Sequence, residues 1–290
     1  MFLNVISPFA TAPLSIGPGR PPYPAVGSLH EPISPTAICV CGDGSGANIA
    51  VSFLQLLLHL RRQTVGGEVG ILWNGRCVPV PFPAAIATHS GYLDLTRCLP
   101  SETTNLEFDI IPSPALPPVL QTRYLQDDIW PPQPPRHHVY APTDLLTHHL
   151  VSPVTARNWQ NCPTRVWLSV GQECLKDGSV VIARRMAEQG VDVQLEIYLG
   201  MPHDFLVLLQ SILCGQECLN RWAAFAKRAM SKQSGVETQE DTRAIVIRSV
   251  NGERHEMDIE AMEPQWTTEE LIEAMEVQIK RWGEPWARLS

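Results

Sequence analysis

The run Cys41-Gly42-Asp43-Gly44-Ser45-Gly46-Ala47-Asn48 joins a short apolar segment, Ala37–Cys41, to a longer one, Ala47–Arg62. A glycine-punctuated turn from strand to helix is a nucleophile elbow, which lifts its apex residue above the sheet edge and sets it at the N-terminus of the following helix. Gly42 and Gly46 stand where side chains are expected to clash with the neighbouring strand and helix. The chemistry such a turn serves is acyl transfer from a serine at the apex. Here the apex, midway between those glycines, is Gly44, which has no oxygen to offer. Ser45 is the fallback nucleophile, but it sits about 100° further round the helix. There its backbone N–H suits an oxyanion hole, and its hydroxyl suits a helix N-terminal cap.

The elbow resembles the G-D-S-[AS]-G-[GA]-N segment of hormone-sensitive-lipase-like hydrolases of the α/β-hydrolase superfamily. Gly42, Asp43, Ser45, Gly46, Ala47 and Asn48 match, and the apex departs. Gly171-Gln172-Glu173-Cys174-Leu175-Lys176-Asp177 resembles that family's acid loop, which implies Glu173 as the triad acid and Asp177 as the fallback. Gly200-Met201-Pro202-His203-Asp204-Phe205 resembles the loop that carries the catalytic histidine, which implies His203 as the base. Asp127-Asp128-Ile129-Trp130-Pro131 and Leu150-Val151-Ser152-Pro153 look like segments of fungal lipase/esterase members. The resemblance implies carboxylic-ester or thioester hydrolysis through an acyl-enzyme, with no metal or organic cofactor and a small apolar ester or acyl ligand. Gly44 in the serine's place implies impaired catalysis. The other expected outcomes are a non-catalytic homologue that binds an acyl ligand or a protein partner, and a truncated product that folds poorly. That last expectation arises because residues 1–41 contain no His-Gly-Gly to complete an oxyanion hole.

Those motifs need a parallel sheet to carry them. Arg165–Val170 and Val191–Leu199 read as strands, with amphipathic helices at Gly178–Gln189 and Gln216–Met230. Strand and helix in alternation give βαβ units and an α/β fold, a mainly parallel sheet with helices on both faces. Ala47–Arg62 is apolar nearly all round and is expected to be buried. Residues 1–36 read as an irregular arm, 37–230 as the hydrolase-like domain and 231–290 as a linker with an appended hairpin and helix. In the appendage, Asn251-Gly252 signals a type I′ hairpin turn, and Thr267 with Glu270 forms a capping box for a helix through Arg281. Residues 95–163 read as a cap-like insertion rich in proline, with Trp130 and Trp159 expected to cover the sheet edge.

A net charge of −8 and 44% hydrophobic residues point away from a nucleic-acid partner and toward a packed core. The longest apolar stretch, Ile49–Leu60, is too short to cross a bilayer, and without a convincing signal peptide the expected location is cytoplasmic. The eight cysteines read as reduced apolar residues, with Cys39 and Cys41 expected on opposite faces of their strand. His137, His138, His148 and His149 form two pairs, but lack the spacing and the thiols of a zinc site.

Overall fold

The computed structural model describes residues 33–65, 68–73, 76–115, 138–231, 242–248 and 251–287. The main strands are β1 (Cys39–Asp43), β6 (Ala85–His89), β7 (Arg165–Gly171), β8 (Val193–Leu199), β9 (Arg243–Arg248) and β10 (Arg254–Met257). They form a six-stranded sheet in the order β1-β6-β7-β8-β9-β10. Neighbours from β1 to β9 are parallel, and β10 returns antiparallel to β9. Two small antiparallel ribbons precede β6, one of β2 (Thr64–Val65) with β3 (Glu68–Val69), the other of β4 (Ile71–Trp73) with β5 (Arg76–Val78). The helices are α1 (Gly44–Arg61), α2 (Ser101–Thr104), α3 (Lys176–Ala187), α4 (Phe205–Leu208), α5 (Leu213–Met230) and α6 (Thr268–Ala287).

Strand alternation divides the core in two. Ile86, Val166, Leu168, Val193 and Leu195 face α1 and α3. Ala85, Ala87, Trp167, Tyr198, Ile245 and Ile247 face α4 and α5. Helices on both faces are therefore what the sheet requires to bury its apolar side chains. Glu196, buried on the α5 face, is matched there by Arg221 and by the Tyr198 hydroxyl at 2.9 Å. A buried carboxylate needs such partners.

Several expectations change in the folded chain. The C-terminal hairpin is no separate appendage, because β9 pairs with β8 and extends the main sheet. The helix after it is fastened too: the Gln278 amide and Trp282 indole both donate to the Pro114 carbonyl, at 2.8 and 2.9 Å. Composition marks a change of character at residue 231 but says nothing about which edge the hairpin joins. The hairpin closes at Arg248 and Glu253, whose N–H and carbonyl bond at 2.9 Å. Asn251-Gly252 does not form the expected type I′ turn, which needs positive φ at both residues: Gly252 has φ of +69°, and Asn251 is not among the described residues with positive φ. The capping box forms, with Thr267 N–H and Oγ each 2.8 Å from Glu270 Oε2.

Trp159 covers no sheet edge; it is fully buried in the core against α1 and α3, while Trp130 lies outside the described residues. Helix α1 is not buried all round, since Ile49 is 70% exposed. Cys39 and Cys41 share one face, with sulfurs 3.8 Å apart. Side chains alternate along a strand, so residues two apart point the same way.

Candidate functional site

The parallel strands deliver their C-terminal ends to one rim of the sheet, where α/β proteins place their ligands. β1 ends at Asp43, and Gly44 opens α1 with φ of +47°. A Cβ on Gly42 would lie 2.3 Å from the Gly46 carbonyl oxygen, so only glycine fits. Gly46 differs from expectation: a Cβ there meets nothing nearer than Asp43 Oδ1 at 3.9 Å. Gly42→Ala is therefore expected to cost about 1–3 kcal/mol or more through overpacking. Gly46→Ala is expected to be neutral or to stabilise by up to about 1 kcal/mol through helix propensity. Urea unfolding of both variants checks the contrast, and equal losses would refute it.

Asp43 is the N-cap residue of α1 but makes no side-chain cap bond. Ser45 does not cap the helix either. Its hydroxyl lies 2.8 Å from the Tyr140 hydroxyl. The residue that faces the imidazole is Gly44. A Cβ built there stands 3.7 Å from His203 Nε2.

His203 follows β8, and Glu173 follows β7, so the β7–β8 pairing sets them side by side. His203 Nδ1 lies 3.0 Å from Glu173 Oε2, and Nε2 lies 3.2 Å from Asp204 Oδ2. Both ring nitrogens therefore face carboxylates. Burial pulls the imidazole pKa down, but the Asp204 and Glu173 hydrogen bonds and charges outweigh it, and the group is pushed up to about 10. Glu173 is wholly buried, and that burial raises its carboxyl against the pull of His203. Burial also opposes ionisation of Asp204, yet its bond to His203 leaves it lowered. Asp177 takes no part here: its Oδ2 accepts from the Ser101 N–H at 2.8 Å.

The sequence offers little sign of the residues that hold this arrangement. Asp109 accepts from the His203 N–H at 3.0 Å and from the Cys174 N–H at 2.6 Å, tying the histidine and acid loops together. Ser90, at the end of β6, accepts from the Asp204 N–H at 3.1 Å. Asp204 itself has φ of +54°, a left-handed conformation that non-glycine residues seldom adopt. His89 is buried, and its Nε2 accepts from the Leu206 N–H at 3.3 Å, which leaves Nδ1 to donate to Ser169 Oγ at 2.8 Å. Burial lowers its pKa to about 3, so it is a neutral structural ring.

A cavity of about 270 Å³ opens beside the elbow, lined by Ser45, Asn48, Ile49, Leu95, Tyr140 and Leu150 among others. Asn48 braces it, donating to the Tyr92 and Val151 carbonyls at 2.8 and 2.9 Å. A larger hollow of about 840 Å³ runs between α5 and the β9–β10 hairpin, but none of these site residues lines it.

The paired histidines are occupied elsewhere. His138 Nε2 lies 3.2 Å from the Tyr92 hydroxyl, and His148 stacks on His149 at 4.4 Å. Among the described residues no three His, Cys, Asp or Glu side chains converge as metal ligands. His137 and the Asp127–Asp128 pair lie outside those residues.

A parallel sheet between helices, with a glycine-walled strand-to-helix turn facing a histidine, is the frame of an α/β hydrolase. The family profile described as the alpha/beta hydrolase fold matches residues 24–207, and the chain belongs to that family. Among solved structures it is similar to an esterase from the bacterial hormone-sensitive lipase family, at 23% identity and TM-score 0.47, over 68% of this chain and 55% of that one. It is also similar to an esterase/lipase from an uncultured bacterium, at 20% identity and TM-score 0.48, over 68% of this chain and 54% of that one. A hormone-sensitive lipase from a metagenome library is similar at 18% identity and TM-score 0.47, over 68% and 55%. The chain thus spans about 55% of the length of these proteins. No curated protein matches it. Among the described residues no helix is long and apolar enough to cross a membrane.

Proposed function

We propose that this chain is an α/β-hydrolase homologue that binds a small apolar ester or acyl ligand at the elbow, with ester hydrolysis through an acyl-enzyme lost. The reading rests on one observation: the apex position faces His203 Nε2 at 3.7 Å but carries no side chain. In this reading Glu173 orients His203, Gly44 stands where a nucleophile would be, and Ser45 contributes its backbone N–H. Gly42, Asp43 and Gly46 shape the turn.

With a serine at the apex, Glu173 and His203 would complete a triad once the imidazole is neutral: the hydroxyl attacks the carbonyl, the imidazole takes its proton and the carboxylate steadies the imidazolium. Without the hydroxyl no acyl-enzyme can form. Ser45 does not replace it, since its Oγ is engaged by Tyr140. The cavity beside Ser45 is slightly smaller than the roughly 300–1,000 Å³ of drug-sized sites, which suits a short acyl chain against Ile49, Leu95 and Leu150.

The test combines hydrolysis and binding on the purified chain. With p-nitrophenyl butyrate, the turnover expected is at the buffer background and unchanged by His203→Ala. A non-hydrolysable butyryl ketone should bind saturably and lose affinity when Leu95→Gln polarises the cavity wall. Turnover that His203→Ala abolishes would overturn the claim of lost chemistry. Absence of saturable binding would overturn the ligand assignment.

A further inference from the structure

Away from His203, β1 presents a second set of reactive groups. Cys39 and Cys41 project from the same face, their sulfurs 3.8 Å apart. Cys41 is exposed and Cys39 partly so, and among the described residues β1 is an end strand of the six-stranded sheet. Trp222 on α5 lies against Cys41, with its buried indole N–H within reach of that sulfur as a donor. A thiolate on Cys41 would strengthen that contact.

From this geometry we infer that Cys39 and Cys41 form a two-thiolate binding site for a soft, thiophilic cation of the copper(I) class. Thiolate sulfur selects soft ions. A two-coordinate ion sets its thiolates nearly opposite each other, so with metal–sulfur bonds of about 2.3 Å the sulfurs must open from 3.8 Å by under about 1 Å, which rotation of the two side chains supplies. A disulfide fits less well. It requires the sulfurs to close to about 2.05 Å, while the backbone is held by the pairing of Cys39 with Ala85 and Cys41 with Ala87. Zinc needs four ligands in a closed site, and no third His, Cys, Asp or Glu joins the two sulfurs among the described residues. Copper(I) accepts two.

Binding forms two copper–sulfur bonds and displaces the thiol protons to solvent, with no change of oxidation state.

The experiment titrates the reduced full chain anaerobically with copper(I) against the chromophoric chelator bicinchoninate. The native chain should take up about one tight equivalent, and Cys39→Ser or Cys41→Ser should each weaken it by about 100-fold or more. Cys214→Ser/Cys218→Ser, which alters the two cysteines one helical turn apart on α5, should leave it unchanged. A protection measurement on the native chain needs no variant: copper(I) should shield Cys41 from iodoacetamide, read by peptide mapping. The assignment is overturned if either single variant retains native affinity, if the native chain takes up no copper(I), or if Cys41 alkylates at the same rate with and without the ion.

Discussion

Replacing Gly44 with serine is expected to create His203-dependent ester hydrolysis. The Cβ position lies 3.7 Å from His203 Nε2, so a hydroxyl one bond further can reach hydrogen-bonding distance. The backbone there already has φ of +47°, where a side chain costs about 1–2 kcal/mol. That strain is small beside the effect at stake, because loss of a serine nucleophile removes on the order of 10⁶ in turnover. With Asp204 competing for Nε2 and the oxyanion hole unassigned beyond Ser45, about 10³-fold over the parent is a realistic gain for p-nitrophenyl butyrate. Gly44→Ser/His203→Ala should return to the parent level. A folded Gly44→Ser chain with no gain would mean that the histidine is unavailable as a base, or that the ester cannot reach it.

The second large effect concerns Asp204. With its pKa pushed up to about 10, His203 is protonated at neutral pH and cannot accept the serine proton. Turnover by Gly44→Ser should therefore climb with pH across the alkaline range. Asp204→Asn removes one of the two carboxylates that hold the imidazolium, so the rising limb should move to lower pH. At pH 7.5 the rate should increase about tenfold for each unit by which the histidine pKa falls. The same shift bears on stability. A raised histidine pKa contributes stability that is complete below its unfolded value of about 6.5 and is lost as pH rises through about 10. NMR titration of the His203 ring in both chains gives the direct reading. Superimposable pH profiles with and without Asp204 would dismiss the carboxylate as a brake.

The sequence makes the site legible where its parts are contiguous. The elbow, the acid loop and the histidine loop each occupy a few consecutive residues, and each follows a strand. Gly44, Glu173 and His203 meet in space because parallel strands bring those loops to one rim. The residues that fasten them were hidden by distance along the chain. Asp109 lies 94 residues from the His203 N–H it binds, inside a proline-rich stretch with no periodicity to mark it. Tyr140 is 95 residues from Ser45. Trp159 reads as a cap residue because of its proline-rich surroundings, yet its bulk fills the main core. Gly46 shows the converse: it matches the motif, but no atom nearby demands a glycine.

The β9–β10 hairpin has a consequence for how the protein survives in a crowded solution. Without it, β8 would end the sheet and expose a seven-residue row of unpaired backbone donors and acceptors, with Val193, Leu195 and Ile197 along it. A long apolar edge of that kind templates strand addition from other chains. β9 covers it, and β10 then presents only four residues to solvent, Arg254-His255-Glu256-Met257, all exposed and mostly charged or polar. A short, charged last strand is a poor template. The hairpin thus terminates the sheet, and a chain in which it detached would be expected to aggregate before its interior unfolded.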